Sequence, residues 1–275
     1  MEIAIISIII LILIMLFCYY QNNKIDTDYY NIDSEKTKQS FKIAHLSDFH
    51  SKPFNAVLKK VKDESPDLIC ITGDFINDHA KRKEKMLDYA RKLVKFAPVY
   101  YITGNHERRL DNFSEIMQEL KNAGFTVLLN EAVKTEFGAI LGLDENQADF
   151  DDYTARKKGT FKYRDMSPYF DELDTYDGFK IVLSHFPENF EGIKEMNYSQ
   201  YDFDLQLSGH AHGGQWIFPF LGPLFSPGQG ILPKYARGTF GDSPKLIISR
   251  GLGNSEFPLR LFNHPQIIFV QINKK

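Results

Sequence analysis

The chain opens with a long apolar run and continues with short apolar stretches that are separated by polar ones. The opening run covers residues 3–20 and, as a helix, is about 27 Å long, close to the roughly 30 Å of hydrocarbon in a bilayer. It predicts a single membrane-spanning anchor at residues 1–22. A cleaved signal peptide is the alternative, but no basic residue precedes the run and no Ala-x-Ala site follows it.

The rest of the chain alternates strand-like runs with helical periods, which is the pattern of an α/β fold. Residues 23–40 are polar and predict a juxtamembrane linker, so we expect the folded domain at 41–275. Residues 68–72 form a continuous apolar run of the kind that is buried on both faces of a sheet. Helices are predicted at 55–65, 80–96 and 111–123, and a hairpin at 132–143. Residues 144–177 lack a period and predict an excursion beside the functional site.

Five strand-like runs end in side chains that can bind a metal ion. These side chains are Asp48, His50, Asp74, Asn105, His185, His210 and His212. Positions i and i+2 of a strand face the same side, so Asp48 and His50 can hold one metal together. A single His at a strand end is more often an ordinary polar group, and Gly-Asp is commonly a turn. Turn chemistry does not explain why the pattern recurs, and the oxygen and nitrogen donors predict a dinuclear site for Mn, Fe or Zn.

Composition narrows the choice of partners and compartment. The net charge is −3, from 33 basic and 36 acidic residues, so the overall charge disfavours a nucleic-acid partner. Cys18 and Cys70 lie in different kinds of segment, which argues against a disulfide framework and against Cys-ligated zinc. Three lysines follow the apolar run and no Lys or Arg precedes it. The positive-inside rule therefore leans towards a single-pass cell-membrane protein with a cytoplasmic domain.

The strand ends also resemble a known set of motifs. In chain order, Asp48-x-His50, Gly73-Asp74, Gly104-Asn105-His106-Glu107, His185 and Gly209-His210-Ala211-His212 are similar to the five motifs of the calcineurin-like metallophosphoesterases. The resemblance runs from Phe41 to the C-terminus. The stretches at 209–215, 226–230 and 251–255 resemble the bacterial, often membrane-associated branch of that family.

The resemblance implies a four-layer α/β/β/α sandwich with two divalent or trivalent metal ions at the strand ends. One metal would be held by Asp48, His50 and His212, the other by Asn105, His185 and His210, and Asp74 would bridge them. A hydroxide shared by the two metals would attack phosphorus. His106 is implied as the catalytic residue that protonates the leaving oxygen or holds the phosphate. Glu107 either orients a neighbouring His or is solvated.

Two classes of function remain open at this point. The first is a hydrolase of phosphodiester, phosphomonoester or pyrophosphate bonds, and the second is a membrane-tethered metal-binding or ligand-binding module without turnover. A degenerate module typically lacks a ligand or the His106 position, and this chain has both, which favours the enzyme. Among enzymes, a nuclease-type phosphodiesterase needs more than one basic helix. A phosphorylated small molecule that is lipid-linked or nucleotide-linked suits an anchored domain better.

The stretch Trp216–Leu232 is rich in large apolar side chains, Pro and Gly, and it has no helical or strand period. Core packing is the ordinary expectation for such aromatic residues. The alternative is that Phe218–Phe225 forms an apolar rim beside the metals, where it receives an acyl chain or dips into the bilayer.

Overall fold

The computed structural model of the protein describes residues 2–77, 82–145, 164–192, 197–254 and 259–275, with side chains from Ile5 onward. The first residues of the helix predicted at 80–96, and residues 146–163 of the excursion predicted at 144–177, lie outside this part of the chain.

Two six-stranded sheets form the body of the domain. The first has the order β1-β16-β2-β3-β4-β5, with β1 (Asp26–Ser34), β2 (Phe41–Leu46), β3 (Leu68–Thr72), β4 (Val99–Ile102), β5 (Phe125–Val127) and β16 (Gln266–Lys274). The second has the order β14-β15-β9-β8-β7-β6, with β6 (Glu131–Lys134), β7 (Gly138–Gly142), β8 (Phe179–Leu183), β9 (Leu205–Ser208), β14 (Gly238–Phe240) and β15 (Lys245–Ile248). Strands β2 to β5 run parallel, as do β7, β8, β9 and β15. Strands β6 and β7 are the predicted hairpin.

The described part of the chain contains α1 (Glu2–Asn23), α2 (Asn55–Glu64), α3 (Lys83–Leu93), α4 (Asn105–Arg108), α5 (Phe113–Asn122) and α6 (Ser167–Asp174). Helices α2, α3 and α5 cover the outer face of the first sheet and α6 covers that of the second, whereas α4 lies at the strand ends. Side chains of α2, α3 and α5 pack with Ile69 on the first sheet, while Phe170 and Leu173 of α6 pack with Val182 on the second. A third cluster, which includes Cys70 and Ile181, lies between the sheets. The predicted four-layer α/β/β/α sandwich is therefore confirmed, and its continuous apolar strands are buried on both faces as expected.

The structure differs from the linker predicted at residues 23–40. This segment contains β1, which pairs in parallel with β16 from Asp26↔Gln266 to Ser34↔Lys274. Tyr30 and Ile32 of β1 pack against the cluster between the sheets, whereas the alternate residues Tyr29, Asn31 and Asp33 are exposed. The strand was missed because its composition is polar and its partner lies at the far end of the chain.

The predicted excursion is also more ordered than expected where the structure describes it. Asp144 and Glu145, at its start, are buried, and α6 lies near its end. A helix with only two buried apolar side chains carries too weak a period to be read from sequence.

Helix α1 projects from the domain but is fastened to it at its C-terminal end. Over Ile5–Asn23 it is long and apolar enough to cross a membrane, with a mean hydropathy of 2.2. The side chains of Gln21 and Asn22 are buried against the domain. Asn22 Oδ1 accepts hydrogen bonds from Asn254 Nδ2 at 2.9 Å and from the Arg260 backbone N–H at 3.2 Å. The end of α1 is therefore part of the folded body.

The apolar stretch Trp216–Leu232, which follows β9 and the last two proposed ligands, folds into two short hairpins. One joins β10 (Ile217–Phe218) to β11 (Gly222–Pro223), and the other joins β12 (Phe225–Ser226) to β13 (Gly230–Ile231). Ile217 is buried, but several large side chains of both hairpins are exposed. Core packing, the ordinary expectation for this stretch, therefore holds for only part of it.

Candidate metal centre

The seven predicted ligands lie at one edge of the two sheets. They follow the carboxyl ends of β2, β3, β4, β8 and β9, which are strands of two parallel sets, and such ends meet where α/β proteins place their sites. All seven side chains are buried, as is His106. His45, which lies within β2, is instead a core histidine whose Nε2 is 2.9 Å from Thr72 Oγ1.

The structure brings six of the seven side chains together as two groups of three. In the first, His50 Nε2 and His212 Nε2 are 2.9 Å apart, and His212 Nε2 is 3.5 Å from Asp48 Oδ1. In the second, Asn105 Oδ1 lies 3.2 Å from His185 Nε2 and 3.0 Å from His210 Nδ1. These are the two sets that the family resemblance assigns to separate metals.

Asp74 lies between the two groups. Its Oδ2 is 3.7 Å from His50 Nε2 and 3.5 Å from His185 Nε2, so one carboxylate oxygen faces a histidine of each set. Its Oδ1 accepts a hydrogen bond from the His106 backbone N–H at 2.9 Å. Such a position is the one that a bridging carboxylate requires.

Burial and mutual charge set the protonation of the cluster. Burial lowers the pKa of His50 to about 3 and that of His212 well below its ordinary value, so both rings are neutral and keep a lone pair. Burial raises the pKa of Asp48 to about 6. Burial opposes charge on His185, but the carboxylate of Asp74 outweighs it and raises the pKa of His185 to about 10. Burial likewise opposes charge on Asp74, yet His185 and then His106 hold its pKa well below 3.8.

The donor set fits two metal ions. Three sets of carboxylate and imidazole side chains could each hold a metal ion, and one of them is Asp48, His50 and His212. Within each set, the potential ligand atoms lie within 4.8 Å of one another. His185 Nδ1 donates to the Thr72 carbonyl at 2.7 Å, which leaves Nε2 directed at Asn105 and Asp74. Metal-binding histidines usually donate their other ring N–H in this way. The negative field that raises the pKa of His185 favours a bound cation for the same reason.

The backbone at this edge is strained. Asp48, His50, Asp74, His210 and His212 have φ between 46° and 65°, in the left-handed region. Non-glycine residues held there cost of order 1 kcal/mol each, and such strain concentrates at functional sites. The left-handed turns direct successive side chains into the cluster, so Asp48 and His50 lie in one group although neither residue is in a strand.

Two glycines let the loops approach one another. Gly73 has φ +90°, and a Cβ there would lie 2.5 Å from His185 Nδ1. A Cβ on Gly104 would collide with Asp74 Oδ1. A side chain at either position would therefore push these loops of the site apart.

Glu107 has neither of the roles considered for it. It is fully buried and accepts hydrogen bonds from the backbone N–H groups of Asp74 at 3.0 Å, Ile76 at 2.8 Å and Gly104 at 2.9 Å. Burial raises its pKa to about 7. Glu107 therefore ties the Asp74 loop to the Asn105 loop, and no histidine is its partner in these bonds.

Glu145 was missed by sequence reasoning. Its buried carboxylate accepts from the backbone N–H groups of His185 at 2.8 Å and Phe186 at 3.2 Å. It also accepts from side chains of Ser184, Asn189 and Tyr198. The residue belongs to a segment without a period, so no sequence signal separated it from the acidic residues that follow it.

Arg260 was missed as well. Its guanidinium is fully buried, and Nη2 lies 3.2 Å from His212 Nδ1. Nη1 donates to the Arg250 carbonyl and Nε to Asn254 Oδ1. The sequence does not indicate this contact, because Arg260 lies 48 residues beyond His212.

Comparisons with known proteins agree with the geometry. Residues 41–214 match the sequence model of the calcineurin-like phosphoesterases. The chain is 31% identical to the uncharacterized metallophosphoesterase YkuE of Bacillus subtilis, over 82% of this chain and 75% of the relative. It is 28% identical to the phosphodiesterase YaeI of Escherichia coli, over 84% of this chain and 82% of the relative. A dimetal phosphatase from Danio rerio has a similar fold, with a TM-score of 0.50 and 11% identity over 78% of this chain and 88% of that one. The chain therefore belongs to the calcineurin-like family of metallophosphoesterases, and it is a phosphoesterase enzyme.

Proposed function

We propose that the protein is a membrane-anchored hydrolase that uses two metal ions to cleave a phosphoester or pyrophosphate bond in a lipid-linked or nucleotide-linked substrate. The observation that carries this proposal is the position of Asp74, whose Oδ2 faces one histidine of each group. Two cations that share such a carboxylate activate water and stabilise charge on the phosphoryl oxygens.

The proposed ligand sets follow the two groups. Asp48, His50 and His212 hold one ion, and Asn105, His185 and His210 hold the other. No thiolate takes part among the described residues, and this donor chemistry suits Mn, Fe or Zn. Neutral rings at His50 and His212 are ready to bind without first losing a proton.

His106 is the proposed catalytic residue. Its ring packs edge-on against His50 with 4.6 Å between the centroids, and its backbone N–H is bound to Asp74. A side chain held next to the ligands, and outside both proposed sets, is placed to protonate the leaving oxygen or to hold the phosphate.

The substrate class is inferred from α1. Asn22 at its end accepts from Arg260, and the guanidinium of Arg260 contacts His212. Arg260 thus connects the end of this apolar helix directly to His212. The connection keeps the metal cluster close to any membrane that the helix crosses. A substrate that resides at that surface, as a lipid-linked phosphate or pyrophosphate does, is then the best match.

The test is a hydrolysis panel on metal-reconstituted protein in detergent. The full chain is used because Asn22 and β1 belong to the folded body. We expect turnover that requires Mn, Fe or Zn and is fastest on a lipid-linked or nucleotide-linked substrate, compared with simple diesters, simple monoesters and phospholipids. Stoichiometric metal binding without turnover of any of these would instead favour a binding module.

A further inference from the structure

Five large apolar side chains are exposed beside the metal centre. This apolar patch consists of Phe220, Leu221, Ile231, Leu232 and Phe262, and Phe220 and Ile231 are the most exposed, at 111% and 76%. Among the described residues after α1, few other large apolar side chains are exposed, so the patch is a local concentration. Exposed apolar side chains that are concentrated in this way mark a binding surface.

The backbone holds three members of the patch in an unfavourable conformation. Phe220, Leu232 and Phe262 have φ of 68°, 54° and 53°. Bulky residues are genuine outliers in this region, where Gly or Asn is the ordinary choice. The other non-glycine residues with positive φ in the described chain are polar, and most of them lie in the metal site. Glycine would adopt this backbone conformation more easily. The chain instead has large apolar side chains at these positions, and it exposes them to solvent.

The patch is continuous with α1. The ring of Phe262 packs against Phe17 of α1, with 5.7 Å between centroids. A surface cavity of about 500 Å³ is lined by Phe262 and the β10–β11 hairpin, and Arg237 lines it as well. A guanidinium beside an apolar surface suits the phosphate of a lipid headgroup. The exposed apolar side chains of α1 thus meet the patch at Phe262.

The segment that carries Phe262 is hydrogen-bonded to a proposed ligand and to the start of the two hairpins. Asn263, next to Phe262, donates from Nδ2 to the His212 carbonyl at 2.7 Å. Trp216, at the start of the hairpins, donates from Nε1 to the Leu259 carbonyl at 3.0 Å. Any surface that the patch contacts is therefore held beside the metal centre.

We propose that the apolar patch docks into the bilayer that α1 crosses, so that the metal centre acts on phosphates at the membrane surface. The inference rests on the proposed function, because α1 must be the anchor. The occupant is the lipid bilayer because the patch continues α1, all of whose described turns before Gln21 expose apolar side chains. Interfacial insertion of aromatic and aliphatic tips beside a basic residue is the usual way in which a protein rests on a membrane.

Fluorescence quenching by lipids tests this proposal without any turnover. The chain has a single Trp, which is kept because its Nε1 holds the hairpins; the signal of the parent chain is subtracted, so that each variant reports its added Trp alone. Full-length Phe220→Trp, Ile10→Trp and Glu136→Trp variants are reconstituted in phosphatidylcholine vesicles with brominated acyl chains. Glu136 is the matched control, because it is an exposed residue of a hairpin turn at the opposite end of the sheets.

The proposal predicts that Phe220→Trp and Ile10→Trp lose most of their fluorescence, while Glu136→Trp keeps nearly all of it. If Ile10→Trp is quenched but Phe220→Trp is quenched no more than Glu136→Trp, the anchor stands and the docking surface is overturned. The patch would then bind a protein partner. Absence of quenching at both positions would overturn the anchor and the docking surface together. Loss of hydrolysis with quenching intact would count against the proposed enzyme only.

A second variant tests the consequence for substrates. Full-length Phe220→Ser with Leu221→Ser should raise KM for a lipid-linked substrate in vesicles and leave the rate on a small soluble diester unchanged. An unchanged KM for the lipid substrate, or an equal loss on both substrates, would contradict the docking role.

Discussion

Glu145→Gln is the substitution whose effect the structure predicts most closely. The carboxylate accepts five hydrogen bonds: Oε2 from the backbone N–H groups of His185 and Phe186, and Oε1 from side chains of Ser184, Asn189 and Tyr198. Glutamine keeps only one acceptor oxygen. Its NH₂ group therefore faces the side chains, because the hydroxyls of Ser184 and Tyr198 can accept a hydrogen bond and the Asn189 amide can turn, while its oxygen stays with the two backbone N–H groups, which can only donate.

The magnitude follows from the lost charge on the acceptor. Hydrogen bonds to a charged group contribute about 1.5–3 kcal/mol each and neutral ones about 1 kcal/mol, so weakening the two backbone bonds lowers the free energy of unfolding by about 2 kcal/mol. The weakened segment carries His185, and we expect metal affinity to fall about 10-fold, as it does when groups that support a metal ligand are replaced.

The assay is urea unfolding of the full chain in detergent, together with metal titration. Glu172→Gln, an exposed residue of α6, is the control and should change neither quantity. If Glu145→Gln unfolds at the same urea concentration as Glu172→Gln and binds metal equally well, the carboxylate does not position His185 and the reasoning fails.

Two further predictions concern catalysis and acid stability. His106→Ala should keep both metals and lose about 10²–10⁴ in rate, and the loss should shrink for substrates with good leaving groups; an equal loss for all leaving groups would leave only the phosphate-holding role. Burial opposes ionisation of Asp26, but His264 and Arg250 outweigh it and hold the pKa of Asp26 below 3.8. The ionised form of Asp26 therefore stabilises the fold above pH 3.8, and this contribution is lost as the pH falls through the lowered pKa. Asp26→Asn should therefore reduce stability near pH 6 and flatten the acid limb of the unfolding curve, and an acid limb as steep as that of the parent chain would show that Asp26 does not contribute.

The fold was largely readable from sequence because its strands are local apolar runs. Strands such as Leu68–Thr72 are buried on both faces, and their polar ends stand out from the apolar residues before them. The exceptions depend on long-range partners. Strand β1 is polar and is fixed by pairing with β16 more than 200 residues away, while α6 is defined by two buried side chains.

The site divides in the same way. The seven proposed ligands could be named because each follows a strand, and parallel strands end at one edge. Their left-handed backbone could not be read, since Asp and His adopt it only when surrounding contacts enforce it. Glu145 and Arg260 act through contacts with His185 and His212 that join distant segments, and no local pattern marks such residues.

Metal content of Asp74→Ala tests the central claim most directly, because that claim is that one carboxylate serves two ions. Metals are measured by mass spectrometry on the purified full chain, beside the rate of phosphodiester hydrolysis and the unfolding curve. Asp63→Ala, which replaces an exposed aspartate of α2, is the matched control and should keep about two ions per chain and full activity. We predict that Asp74→Ala stays folded, holds fewer than two ions and loses hydrolysis. A folded Asp74→Ala chain that holds the full complement of metal and hydrolyses at a near-normal rate would contradict the account.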